Sequence, residues 1–246
     1  MVLKSAFRPT CVAVMALAIG LMASHGSAAE KADAKNADKA ELKTIELFSA
    51  MEAGDIDVKL IPKSSKQATV LIENKLGTPV CIKLPDAFAG VPVLAQMGMG
   101  GMGMGGMGGM GGMGGFFNVK PGKVAKLRVP TVCLEHGKPE PNPRMAYKLV
   151  PIETLTTKPE VIELCKMLGS GQLVQSAAQA AAWHFTDNMS WEQLAQKVGV
   201  EHLIGPSEPY FTVQDIQLGM RIAAESMRRV RENPAYREPV KSLSQN

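Results

Sequence analysis

Three kinds of side chain in this 246-residue chain have chemistry to offer: cysteine, histidine and, above all, methionine. Met97, Met99, Met102, Met104, Met107, Met110 and Met113 stand among twelve glycines in an uninterrupted tract at 97–115. Thioether sulfur favours Cu(I), and M-x-M and M-x-x-M spacings bring several sulfurs within reach of one ion. Glycine opposes such a site, because it loses more backbone freedom on ordering than any other residue, and no His or Asp lies close in sequence to strengthen it. The same thioethers make an adaptable contact surface, since methionine repacks against varied partners. A mobile loop acting as spacer or contact surface is therefore the first reading, with a copper site as its alternative. No other cofactor is expected.

Cysteine and histidine give shorter signals. Cys133 and His136 form a C-x-x-H pair, but no second C-x-x-C or H-x-x-x-H completes a zinc site, and His184 and His202 fall at no ligand spacing to it. Cys81 and Cys133 lie in predicted strands on either side of the methionine tract, which makes Cys81–Cys133 the natural disulfide of an oxidising compartment. The alternative is two buried thiols packing as small hydrophobes. Cys165, beside Leu164 and Leu168 in a predicted helix, reads as core.

No enzyme signature appears. The chain has no G-x-S-x-G, P-loop, H-E-x-x-H or Gly-rich fingerprint after a strand. Glu135 and His136 adjoin each other in a Gly/Pro-rich turn with no Ser or Thr placed to use them, and Cys133 with His136 as base ranks lower still. Trp183 and Trp191 read as helix anchors. The formal net charge is +4, and removing the basic leader that carries Lys4 and Arg8 leaves +2. Acids and bases are interspersed and aromatics scarce, so nucleic acid is not an expected partner.

The elements that must position these residues are legible as patterns. Leu42, Ile45, Phe48 and Met51 recur every three residues up to Gly54, which predicts a short amphipathic helix. From Asp55 the period becomes two: Ile56, Val58 and Leu60, then 68–72, then Val80, Ile82 and Leu84 with Cys81 and Lys83 on the other face. Beyond the tract come Ala125, Leu127 and Val129, then 132–134, then Met145, Tyr147 and Leu149. Six or seven short strands between Pro/Gly turns predict an antiparallel Ig-like β-sandwich over 41–153, with the Met/Gly insert at 97–115 as a disordered loop. A small helical region follows at 159–233, with helices at 161–168 and 173–185 and capping boxes at Ser190/Gln193 and Thr212/Asp215. Val213, Ile216, Met220, Ala223, Met227 and Val230 form a short heptad seam expected to pack on its own domain. The fold class is α+β, with a tail at 234–246.

Lys4 and Arg8, the apolar run at 11–23 and the small residues Ser27, Ala28 and Ala29 read as a cleaved signal over 1–29, followed by a charged linker at 30–40. Export to the periplasm or beyond is expected, with no membrane span after cleavage. Three blocks, at 82–96, 129–153 (VPTVCLEHGKPEPNPRMAYKLVPIE) and 179–195 (QAAAWHFTDNMSWEQLA), resemble a group of uncharacterised exported bacterial proteins of the planctomycete type that carry a Gly-rich insert after the first block. The resemblance implies export and a shared architecture, and brings no activity. The sequence thus reads as a non-enzymatic exported protein with a binding or structural role at the cell envelope, its partner a protein or another envelope component.

Overall fold

The computed structural model of the chain describes residues 42–93, 104–108, 115–202 and 205–236, with the backbone alone at 104–108. The fold is mixed α+β, and its sheets are mostly antiparallel. The described residues begin with β1 (Lys43–Glu46) and α1 (Leu47–Glu52), where the three-residue repeat predicts one helix. The first half of that repeat is a strand because it pairs in parallel with β4 (Val80–Lys83), Ile45 opposite Ile82. Leu47 and Ala50 then become the buried face of the short helix.

Period-two patterning forms the main sheet. β2 (Ile56–Ser64) and β3 (Gln67–Asn74) make a hairpin with a register shift after Pro62, a residue that cannot donate to a ladder. The other strands of this sheet are β5 (Ala87–Pro92), β6 (Met104–Gly108), β8 (Val124–Pro130) and β9 (Tyr147–Pro151), in the order β6-β5-β9-β2-β3-β8. β4 lies between β1 and β7 (Phe116–Val119) in a second, three-stranded sheet. The inner faces of the two sheets share one core, in which Val70, Ile72, Ile82 and Phe88 are at most 1% exposed. Burying each such side chain contributes about 2 kcal/mol. Val80, Ile82 and Leu84 point into this core, and Lys83 does not.

Asn74, fully buried at the end of β3, ties two turns together. Its Nδ2 donates to the carbonyls of Thr78 and Val119, both at 2.9 Å, and its Oδ1 accepts from Leu76 N at 2.9 Å. A polar side chain at this depth is stable because each of these bonds replaces one to water.

A second core gathers the helices against the sheet through Ala87, Val132, Leu134 and Ile152. α2 (Pro159–Gly169) starts on a proline at its first position and stops at Gly171, whose φ of +74° lets Gln172 N reach the Met167 carbonyl. α3 (Gln175–Thr186) presents a nearly continuous alanine face. α4 (Trp191–Gln196) and the long α5 (Val213–Glu232) both begin at the anticipated capping boxes, with both reciprocal bonds formed in each. β10 (Val198–Val200) and β11 (Glu208–Pro209) pair between them. The heptad seam divides on α5: Ile216 and Ala223 turn inward, whereas Val213, Met220 and Met227 are 76%, 43% and 40% exposed. Gly219 lies against α3, where an added Cβ would sit 3.1 Å from the Ala177 carbonyl oxygen.

Candidate binding site

The residues with perturbed chemistry gather around the segment after β8. Cys133 is not in a strand, although the run at 132–134 reads as one. Its peptide is held instead by the amide of Gln179 from α3: Cys133 N–H donates to Oε1 and Nε2 donates to the Cys133 carbonyl, each at 2.8 Å. Gln179 is 2% exposed, so this two-bond grip is made away from water. The neighbouring Thr131 hydroxyl donates to the Ser65 carbonyl in the β2–β3 turn at 2.6 Å, and its own carbonyl accepts from Gln175 Nε2 at 2.8 Å. Sheet and helices thereby fix this segment from both sides.

Trp183 forms the floor of the site. It lies one turn after Gln179 on α3 and is 5% exposed, and its indole meets His136 edge-on at 4.8 Å between ring centroids. Tyr210 and Phe211, following β11, pack on it at 5.3 and 5.8 Å. Lys197 holds its ammonium 5.5 Å above the Trp183 ring and 5.4 Å above that of Tyr210, and Lys66 approaches the Tyr210 ring at 5.9 Å. Such stacking of cations on aromatic faces is attractive through the ring quadrupole. Glu140 closes the far side by accepting from Ser65 N at 2.7 Å. Three buried polar atoms here have no hydrogen-bond partner: Glu135 Oε2, His136 Nε2 and Trp183 Nε1.

Burial governs the protonation of this cluster. It pushes the Cys133 thiol up, only partly opposed by the Glu135 backbone, and Sγ donates to the Glu135 carbonyl at 3.1 Å, a bond that only the protonated thiol can make. Burial and then the nearby Lys197 ammonium hold His136 below the ordinary imidazole value. Tyr147 is pushed up to about 12 by burial, then by Cys133 and Glu140, and Tyr210 is raised chiefly by burial. Near neutral pH the site therefore holds a thiol, a neutral imidazole and two phenols. This constellation donates and accepts hydrogen bonds, but it supplies no thiolate–imidazolium pair.

The expected disulfide does not form. Cys81 and Cys133 are free thiols: Cys81 belongs to β4, opposite Thr44 and Asn118, whereas Cys133 packs with Ala180, Trp183 and Phe211 among the helices. Proximity to one loop in sequence does not bring them together, because Cys81 lies half-exposed on the face of β4 away from the sheet core, whereas Cys133 is buried among the helices. Cys165 is fully buried in α2, as its apolar neighbours suggest.

The histidines likewise stay apart. His184 stacks on Trp191 at 4.3 Å and donates from Nδ1 to the Met189 carbonyl at 2.8 Å, while His202 Nε2 meets Glu208 at 3.2 Å. Among the described residues no three His, Cys, Asp or Glu side chains are grouped to hold a metal. Of the tract methionines, Met104 and Met107 lie on β6, an edge strand paired with β5 rather than part of an unbroken loop. Met97, Met99, Met102, Met110 and Met113 lie outside the described residues.

Gln179, Lys66, Lys197 and Tyr210 escape the sequence reading. One signal for them exists: Gln179 and Trp183 stand four apart on a helix otherwise faced with alanine, so both must project from the same apolar surface. No helix among the described residues is long and apolar enough to cross a membrane. Comparison of the chain with protein-family models, with curated proteins and with solved structures gives no match.

Proposed function

We propose that this chain is a non-enzymatic binding protein that works outside the cytoplasm at the cell envelope, built on an Ig-like β-sandwich. In this reading the Met/Gly tract is a spacer and contact surface, and the chain is related to the exported bacterial proteins whose three sequence blocks it resembles. The observation that carries it is the Trp183 cluster. Five separate stretches, around Lys66, Cys133–Glu140, Trp183, Lys197 and Tyr210, bring rings, ammonium groups and unpartnered buried polar atoms together, while Cys133 stays a protonated thiol. Preset hydrogen-bonding groups among aromatic rings suit recognition, and clustered perturbed titratable groups mark a functional site.

Trp183 and Trp191 are the two tryptophans of the chain, which makes fluorescence the direct test. Titration with solubilised envelope material is expected to shift the emission of the unaltered chain and of Trp191→Phe, but not of Trp183→Phe. Loss of the shift in Trp191→Phe instead would reject the site. Cu(I) binding by the intact chain, abolished when 97–115 is shortened to a turn, would replace the contact-surface reading with the copper alternative.

A further inference from the structure

The solvent face of the main sheet segregates its charges in rows. Register places Lys126 of β8 and Lys59 of β2 on either side of Leu71 in β3. The pairing of Leu60 with Tyr147 sets Lys148 of β9 beside Lys59. One row across four strands thus reads Lys148, Lys59, Leu71, Lys126, and the three lysines are exposed. The row behind it carries Arg128 beside Thr69 and Ile61. The two acids of the face are not interleaved with these bases: Asp57 and Glu73 stand opposite each other in the next row. Like charges directly opposite on a sheet are destabilising, so this segregation is held against a local cost. None of these bases has an ion pair among the described residues.

We propose that this face binds a linear acidic polysaccharide whose carboxylates lie along the lysine row, running across the strands. Strand spacing puts Lys148 and Lys59 about 5 Å apart along the row and Lys59 and Lys126 about 10 Å apart. In an extended, 1,4-linked uronate chain the carboxylates alternate from side to side and recur on one side at every second sugar, close to the Lys59–Lys126 step. Lys148 and Lys59 therefore share one carboxylate, Lys126 meets the next on that side, and the intervening sugar lies over Leu71. Half-buried Leu71 supplies a flat apolar floor for a sugar ring between them. The rows described carry no aromatic side chain on which bases would stack, which disfavours a single-stranded nucleic acid. Beside the lysines, the rows described carry one exposed large apolar side chain, Val124, which shares its row with Asp57 and Glu73 and offers too little apolar area to enter a bilayer. This inference uses a different face from the Trp183 cluster and stands apart from it.

The test is binding of the whole chain to polygalacturonate at low ionic strength, with neutral dextran, phosphatidylglycerol vesicles and single-stranded poly-dT in parallel. The combined Lys59→Gln, Lys126→Gln and Lys148→Gln variant is expected to bind polygalacturonate at least tenfold more weakly, with a shallower dependence on salt. The matching arginine variants retain binding. A control set elsewhere on the surface, Lys43→Gln, Lys75→Gln and Arg231→Gln, also retains it. Thermal unfolding of each variant confirms that it is folded. The proposal is overturned by absence of binding to polygalacturonate, by equal binding to dextran, or by equal weakening in the control set. Tighter binding to the vesicles or to poly-dT overturns it as well, and assigns the face to that partner instead.

Discussion

The grip of Gln179 on the Cys133 peptide gives the sharpest way to perturb the junction of sheet and helices. Both bonds are 2.8 Å long and both partners are buried, so removing the amide strands one peptide N–H and one carbonyl. Each buried group left unsatisfied costs about 1–3 kcal/mol, which places Gln179→Met at roughly 2–6 kcal/mol while retaining most of the packing volume. That is a large share of the 5–15 kcal/mol typical of a domain, and urea unfolding with linear extrapolation reads it directly. Gln179→Glu adds a test of sign. Its carboxylate still accepts from Cys133 N but faces the Cys133 carbonyl without a proton to donate, so folding raises the pKa of the new acid. A raised acid pKa gives stability that is present below the unfolded value, about 4.3, and lost as pH climbs through the folded value. The deficit of Gln179→Glu relative to the unaltered chain should therefore shrink as pH falls from 7 towards 4.5, whereas that of Gln179→Met should follow no such course. A Gln179→Met variant within about 0.5 kcal/mol of the unaltered chain would refute the reasoning, since surface-like effects have that size.

Three further outcomes follow from single contacts. Gly219→Ala should destabilise by about 1 kcal/mol in urea unfolding, because a Cβ 3.1 Å from the Ala177 carbonyl and 3.2 Å from the Trp191 ring outweighs the gain in helix propensity; stabilisation instead would show that α3 and α5 separate freely. Burial raises the Asp215 carboxyl, but hydrogen bonds from Ser176 and Thr212 outweigh it and hold the acid below its ordinary value. Its contribution at the start of α5 should accordingly be complete above about pH 4 and vanish as pH falls through the lower folded value; a stability gap to Asp215→Asn that persists unchanged to pH 2 contradicts this. Alkylation without reductant should label Cys81, half-exposed on β4, well before Cys133, which is buried and raised; protection of both thiols until reductant is added would restore the Cys81–Cys133 bond.

Much of the scaffold is legible because its signals are local. Alternation along β2, β3, β4 and β8 marks the buried face residue by residue, since the strand period is two and one face meets the core. Ser190/Gln193 and Thr212/Asp215 locate two helix starts because a capping box is satisfied within four residues. Where the reading fails, a distant partner decides. The repeat from Leu42 to Met51 suits a helix until Ile45 finds Ile82 across a parallel ladder, a contact 37 residues away in sequence. β5 is unmarked for a related reason. Its residues Ala87–Pro92 are apolar on both faces, with Phe88 in the sheet core and Ala87 in the helical one, so it shows no alternation to detect.

The candidate site is less legible still, because nothing in it is a spacing. Cys133-x-x-His136 draws attention by resembling a ligand pair, yet burial leaves the first a thiol and the second neutral. The groups around them come from α3, from the turn after β2 and from the segments after α4 and β11. Each is ordinary alone: a glutamine in an alanine helix, two lysines among many, a tyrosine after a proline. Gln179 becomes a clamp only when β8 delivers Cys133 to it, and Lys197 becomes a lid over Trp183 only when β10 and β11 pair to bring Tyr210 alongside. The basic row on the sheet has the same character, since Lys59, Lys126 and Lys148 are spread over 90 residues and become neighbours through register. Overall charge cannot reveal such a row, because a chain near neutrality dilutes it with acids elsewhere. The register does reveal it, and a one-residue slip in β2 or β8 would turn a lysine into the core, so the hydrophobic pattern that folds the sheet also keeps the row on its surface.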